Sequence, residues 1–128
     1  MNLKTLDVSH NFIVDIQDCE QVIELPSLTN FDLRENQIDT HNEIVPFFTR
    51  MQQVTCLYLA GNPCIRLISN YRRQLTVKMP NLYYLDEKPI FEDDRLCAEA
   101  FIKGGREEEV RVKNELELKK REEMRIDK

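Results

Sequence analysis

Apolar positions in this chain recur in a fixed arrangement. Leu3, Leu6 and Val8 precede Asn11 and Ile13; Leu28, Phe31 and Leu33 precede Asn36 and Ile38 in the same spacing. The arrangement returns as Val54, Leu57, Leu59 and Asn62, and in shortened form as Leu82 and Leu85. Asn11, Asn36 and Asn62 are spaced by 25 and 26 residues. Within each unit the pairs Leu6 and Val8, Phe31 and Leu33, and Leu57 and Leu59 flank one residue. That alternation predicts a short strand with one face in a core. Each asparagine follows where the chain leaves the strand, and its amide is suited to both donate to and accept from backbone groups that would otherwise be buried unpaired.

A period of this length lies in the range of leucine-rich repeats. The fold class expected is therefore α/β: a leucine-rich repeat solenoid with a short parallel sheet on its concave side and helices on its convex side. The returning segments fit. Ile44, Phe47, Phe48 and Met51 form a helical stripe, and Thr40-x-x-Glu43 reads as a capping box ahead of it. Ile16, Cys19 and Ile23 predict a shorter helix closed by Pro26. After Asn62 the pattern changes. Pro63 opens a helix carrying Leu67, Tyr71, Leu75 and Met79 on one face, Pro80 stops it, and Leu82 to Asp86 supply a last edge strand. Such a segment suits the terminal unit that closes a solenoid's core. A further helix is expected from about Glu92 to Lys103, ended by Gly104, with Phe101 and Cys97 packed back on the cap. The units expected are repeats over 1–62, a cap over 63–91, a post-cap helix over 92–105 and a charged helical tail over 106–128.

Composition divides the chain in the same way. Residues 1–105 hold 47 apolar side chains, whereas residues 106–128 hold only 6 of 23, so the tail lacks the means to build a core alone. The tail carries 16 charges, eight of each sign. Its pairs Glu107–Arg111, Glu109–Lys113, Glu115–Lys119 and Glu117–Arg121 place the acid four residues ahead of the base, the orientation that supports a helix. Val110, Val112, Leu116, Leu118, Met124 and Ile126 hold no heptad seam, so a solvent-exposed single helix is the expectation, ahead of a partner-docking one. No apolar run approaches the length of a membrane span, and the first residues show no apolar signal region. The net charge of -5 argues against direct nucleic-acid binding. Cys19, Cys56, Cys64 and Cys97 form no C-x-x-C pair and read as free thiols.

Residues alternating with the core positions are expected on the concave face: Thr5, Asp7, Asn30, Asp32, Arg34, Cys56, Tyr58, Tyr84 and Asp86. Of these, Asp7, Asn30, Asp32, Arg34, Tyr58 and Tyr84 are the candidate partner-binding set, the tyrosines being the stronger anchors. One carboxylate per strand on an open face makes a poor metal cage and a poor acid–base pocket. The reading is a non-enzyme with no cofactor and no metal.

Asn62-Pro63, Tyr71-Arg72, Pro80-x-Leu82-x-x-Leu85-Asp86 and Ile90 resemble the cap of SDS22-like leucine-rich repeat proteins. More narrowly, Asn70-Tyr71-Arg72-Arg73, the run from Tyr84 to Phe91, and Asp94-Arg95-x-Cys97-Ala98-Glu99-Ala100-Phe101-x-x-Gly104-Gly105 resemble the leucine-rich repeat dynein axonemal assembly factors. The resemblance implies a cytoplasmic, cilium- and axoneme-associated scaffold for preassembly of dynein arms, with dynein subunits and chaperones or co-chaperones as partners. Two other readings stand beside it: a regulatory subunit of a protein phosphatase, and a spliceosomal cap protein holding an RNA-binding partner. Arg72 is expected to serve the cap, while Arg73 stays open. Because the family carries more repeats upstream, the edge before Leu3 is expected to be left by truncation or to self-associate.

Overall fold

A computed structural model describes residues 3–126. Met1 and Asn2 at the head of the first unit, Asp127 and Lys128 at the end of the tail, and the side chains of Arg125 and Ile126 lie outside the described residues. Two compact units are present, Met1–Ile90 and Phe91–Lys128.

In the first unit the three full repeats and the shortened one each contribute one strand: β1 (Thr5–Asp7), β2 (Asn30–Asp32), β3 (Cys56–Tyr58) and β4 (Tyr84–Leu85). They pair in parallel and in chain order. Leu6, Phe31, Leu57 and Leu85 stand side by side in the register, so the middle residue of every rung enters the core. Phe31, Leu33, Leu57, Leu59 and Leu85 are fully buried, as are Leu28, Val54 and Leu82 three residues ahead of each strand centre. Burying one such side chain is worth about 1.5–3 kcal/mol, and its partners come from three successive units.

The convex side is less regular than the sequence predicts. The first return is a 3-10 helix, Ile16–Glu24, whose start is capped by Asp15 accepting from the Gln17 N–H at 2.9 Å. The second is an α-helix, α1 (His41–Thr49), with Ile44, Phe47 and Phe48 buried and Met51 buried just beyond it. Phe48 lies between Phe31 and Phe47, at ring-centroid distances of 6.2 and 5.0 Å. The capping box does not form. Thr40 makes no side-chain cap for α1; its Oγ1 accepts from the Ile16 N–H of the preceding unit at 3.1 Å. A neighbouring repeat thus takes the hydroxyl that the local motif assigned to the helix.

The cap differs as well. The stretch after Asn62 is a 3-10 helix, Pro63–Leu67, separated from α2 (Tyr71–Lys78) by Asn70 in the left-handed region (φ 54°). That break turns Leu67 off the shared face, leaving it 59% exposed, while Cys64, Leu75 and Met79 are fully buried. Nor is β4 the last strand. The chain turns through Asp86 and Glu87, both left-handed (φ 50° and 67°), and adds β5 (Lys88–Pro89) antiparallel to β4. Two carboxylic residues in a two-residue turn give none of the Asn-Gly signal by which such hairpins are recognised.

In the second unit, the helical segment α3 (Glu92–Ile126) is interrupted at Gly105 (φ 76°, ψ −165°), one residue past the expected stop. Its two arms, 92–104 and 106–126, run back along each other. The Lys120 Nζ reaches the Asp93 carboxylate at 2.7 Å. Leu96 and Ala100 of the first arm line one depression with Val112 and Leu116 of the second. The tail is therefore one arm of a helical hairpin, not a lone exposed helix, although three of its apolar residues, Val110, Leu118 and Met124, do stay exposed. Arg111 bonds Glu108 and Glu115 along the arm.

Candidate functional site

The sheet register sorts the non-core strand residues into two rows on the concave face. Thr5, Asn30, Cys56 and Tyr84 make one; Asp7, Asp32 and Tyr58 make the other. A depression of about 240 Å³ opens among Thr5, Asp7, Asn30, Asp32, Arg34, Cys56 and Tyr58. All but Tyr84 of the candidate binding residues thus share one hollow, and Tyr84 adjoins it by packing on Tyr58 with ring centroids 6.1 Å apart.

Arg34 organises this surface. Its Nε donates to both oxygens of Asp32, at 3.1 and 3.2 Å, and its Nη2 donates to Oδ2 at 2.8 Å. Its backbone N–H also donates to Asp32 Oδ1 at 3.0 Å. On its other side Nη1 donates to Glu87 Oε1 at 2.9 Å. The guanidinium carbon lies 4.7 Å from the centroid of the Tyr58 ring, within cation–π reach. The hydrogen bonds that Arg34 donates to Asp32 raise the Arg34 pKa, overcoming its desolvation, so the cation is held charged. Burial raises the Tyr58 phenol. A chain of contacts therefore crosses the face from Asp32 through Arg34 to Glu87, laid over Tyr58, which Tyr84 flanks. Held in this way, the side chains lose less rotamer freedom when a partner arrives.

The remaining candidates take quieter positions. Asp7 accepts from both the backbone N–H and the hydroxyl of Ser9, at 2.9 and 2.6 Å, and these bonds hold its carboxyl below the usual carboxylate range. Asn30 donates to Thr5 Oγ1 at 3.3 Å. Asp32 is only 8% exposed, so it works through Arg34 instead of offering its carboxylate to a partner. Asp86, expected on the concave face by alternation, turns under it. Its Oδ1 accepts from the Leu59 and Ala60 N–H groups at 2.6 and 3.0 Å, and its Oδ2 accepts from the Tyr71 hydroxyl at 2.7 Å. Where Asn36 and Asn62 also donate to strand-end carbonyls, this carboxylate only accepts, pairing N–H groups of the preceding repeat. Glu87 was missed by pattern reasoning because it lies in a turn, outside any strand alternation.

The cap residues form one bonded assembly. Arg72 donates to the carbonyls of Leu85, Lys88 and Pro89, at 2.9, 3.2 and 3.0 Å, tying the β4–β5 hairpin to α2. The Tyr71 phenol is pushed strongly upward by burial and by Asp86, which keeps it a hydrogen-bond donor. Leu82 is buried, Pro63 opens the 3-10 helix and Pro80 follows the buried Met79. Arg73 donates to Asn70 Oδ1 at 3.2 Å. Among the thiols, Cys64 is pushed up to about 11 by burial. At neutral pH it is a protonated core side chain, unlike the thiolate a nucleophile needs. Among the described residues, no three or more His, Cys, Asp or Glu are grouped to hold a metal ion. No helix among the described residues is long and apolar enough to cross a membrane.

Comparison with known proteins agrees with this geometry. The Leucine Rich Repeat family model matches residues 2–22, and the structure continues the same unit through Asn36 and Asn62. The chain is 36% identical over 102 residues to the leucine-rich repeat-containing protein ODA7 of Chlamydomonas reinhardtii, covering 80% of this chain and 23% of that protein. It is 39% identical over 107 residues to human dynein axonemal assembly factor 1, covering 84% of this chain and 14% of that one. The chain thus spans a quarter or less of these curated relatives. Among solved structures, a chain in the Drosophila melanogaster SNF/U2A' complex superposes with a TM-score of 0.64 at 26% identity, over 82% of this chain and 60% of that one. The chain has the leucine-rich repeat fold and is similar over most of its own length to the dynein axonemal assembly factors.

Proposed function

We propose that this chain is a non-catalytic binding scaffold that acts in cytoplasmic preassembly of axonemal dynein arms, with dynein subunits and their chaperones as partners at its concave face. The observation that carries the reading is the preorganised patch of Asp32, Arg34, Glu87, Tyr58 and Tyr84 on a chain similar to proteins named for dynein assembly. Tyrosine and arginine held in fixed geometry are the residue types that dominate binding energy at protein interfaces. The face is an open sheet surface. It lacks the enclosure that would shift carboxyl or thiol groups into a catalytic range, and that supports a scaffold over an enzyme. The readings as phosphatase regulator or spliceosomal cap protein gain nothing from the named relatives.

The test is retention of partners from an extract of ciliated cells on the immobilised chain. Wild type is expected to retain dynein heavy or intermediate chains. Replacing Tyr58 and Tyr84 together by Ala is expected to reduce retention at least about tenfold, the loss of two central anchors. Retention of a phosphatase catalytic subunit or a ribonucleoprotein in place of dynein would replace this reading.

A further inference from the structure

The concave face has a charge and a backbone feature that together specify its partner. Along its two rows and their rim, Asp7, Asp32 and Glu87 surround a single guanidinium, Arg34, among the described residues. By formal charge the hollow is acidic even after Arg34 is counted, and residues 1–90 as a whole lean the same way, with eleven carboxylates against eight Lys and Arg side chains.

The second feature is the position of Glu87. It is the second central residue of the β4–β5 turn and sits at φ 67°, where glycine or asparagine is the fitting residue. A glutamate there is unfavourable for the backbone. Folding does not need its side chain in return: the turn is already held by the three carbonyl bonds from Arg72 and by the three bonds to Asp86. The Glu87 side chain is 69% exposed, and its ion pair with Arg34 lies on the surface, where such pairs add little stability. A carboxylate kept on a strained turn at the rim of the hollow is placed for something outside the fold.

We infer that the concave face receives an extended, basic polypeptide segment, whose Arg or Lys side chains meet Glu87 and Asp7 and lie over the Tyr84 ring, beside the Tyr58 ring that Arg34 already covers. This rests on the concave-face reading above and names the chemistry of its partner. Extended peptides suit a shallow sheet face, because alternate side chains reach down while the others point away. Cations over tyrosine faces add to the carboxylate contacts.

Fluorescence anisotropy with a labelled decapeptide alternating Arg and Ser, set against its Glu–Ser and Gln–Ser counterparts, tests this on the full chain. The Arg peptide is expected to bind, to weaken steeply with salt, and to be favoured over both others. Glu87→Gly and Glu87→Asn are expected to melt at or above the wild-type temperature and yet bind the Arg peptide roughly three- to tenfold more weakly. Asp7→Asn is expected to weaken it too, while Glu24→Gln, on the convex 3-10 helix, does not. Preference for the Glu peptide, no binding of any peptide, equal loss in Glu24→Gln, or undiminished binding in both Glu87 variants would overturn the inference. Retention of dynein chains that is insensitive to salt and to Glu87→Asn would overturn it while leaving the scaffold reading intact. Failure of wild type to retain any dynein chain counts against the scaffold instead.

Discussion

Asn36 and Asn62 are buried, and each satisfies two repeats at once. Asn36 Nδ2 donates to Leu33 O in its own unit and to Val8 O in the preceding one, both at 3.0 Å, while its Oδ1 accepts from Ile13 N–H. Asn62 does the same for Leu33, Leu59 and Ile38. Asn11, which is exposed, donates only to Val8 O and Ser9 O of its own unit. Asn36→Ala would strand the Ile13 N–H and leave the Val8 and Leu33 carbonyls with only their bonds from Asn11 and Asn62, so we expect a loss of about 1–3 kcal/mol in urea unfolding, against under about 1 kcal/mol for Asn11→Ala. The residue ahead of each asparagine shares a second constraint. His10, Glu35 and Gly61 all lie in the left-handed region, at φ 57°, 56° and 83°. Only one of the three is glycine. A Cβ on Gly61 would stand 2.3 Å from Glu35 Oε1, the movable end of a flexible side chain, so the positive φ is what disfavours a substitution there. Glu35→Asn should raise stability by about 0.5 kcal/mol, because asparagine tolerates this conformation better, and Gly61→Ala should lower it by at least about 1 kcal/mol. Shifts in the urea midpoint at constant slope would check both.

At the scale of elements, periodicity identified each helix but not how it ends. The stripe of Ile44, Phe47 and Phe48 fills the core as its spacing requires. The capping box fails because the Ile16 N–H competes for Thr40. The four-residue spacing from Leu67 to Met79 spans two helices because Asn70 breaks the chain between them. For the tail, the acid-before-base pairs argue for a helix, and the structure agrees. They do not argue against a second helix alongside it, which Lys120–Asp93 and the Leu96, Ala100, Val112 and Leu116 seam supply. Leu116→Asp is accordingly expected to reduce helical circular dichroism, since short helices in water depend on packing. Leu118→Asp, at a 57% exposed position, should leave it unchanged. Equal indifference to both substitutions would show a helix that stands by its pairs alone.

At the scale of the molecule, the first unit is a stack in which each repeat is stabilised by its neighbours. Stability in such arrays is close to a sum of repeat and interface terms. The middle repeats have a neighbour on both sides, and Phe31, Leu33, Ile38, Leu57 and Leu59 are fully buried; their counterparts Leu6, Val8 and Ile13 in the first repeat are half-buried. Native-state hydrogen exchange of this chain should therefore grade along the stack. The Ile13 amide, held by Asn36 at the thinner end, should exchange faster than the Ile38 amide held by Asn62 in the middle. Uniform protection of the two would indicate a single cooperative block.

Local pattern alone was enough to determine the repeat, its strands, the buried rung residues and the asparagine positions. Those are set by a period-2 alternation and by hydrogen-bond needs that every unit shares, so the information is repeated along the chain. It also placed Asp7, Asn30, Arg34, Tyr58 and Tyr84 on one face, because alternation leaves them no other. Tertiary structure alone decided which polar groups meet. Asp86 is drawn under the Leu59 and Ala60 amides, and Thr40 is made an acceptor for Ile16. Each choice is a competition between partners some two dozen residues apart or across a turn. Only stacking brings those partners within 3 Å or so, where hydrogen bonding selects among them.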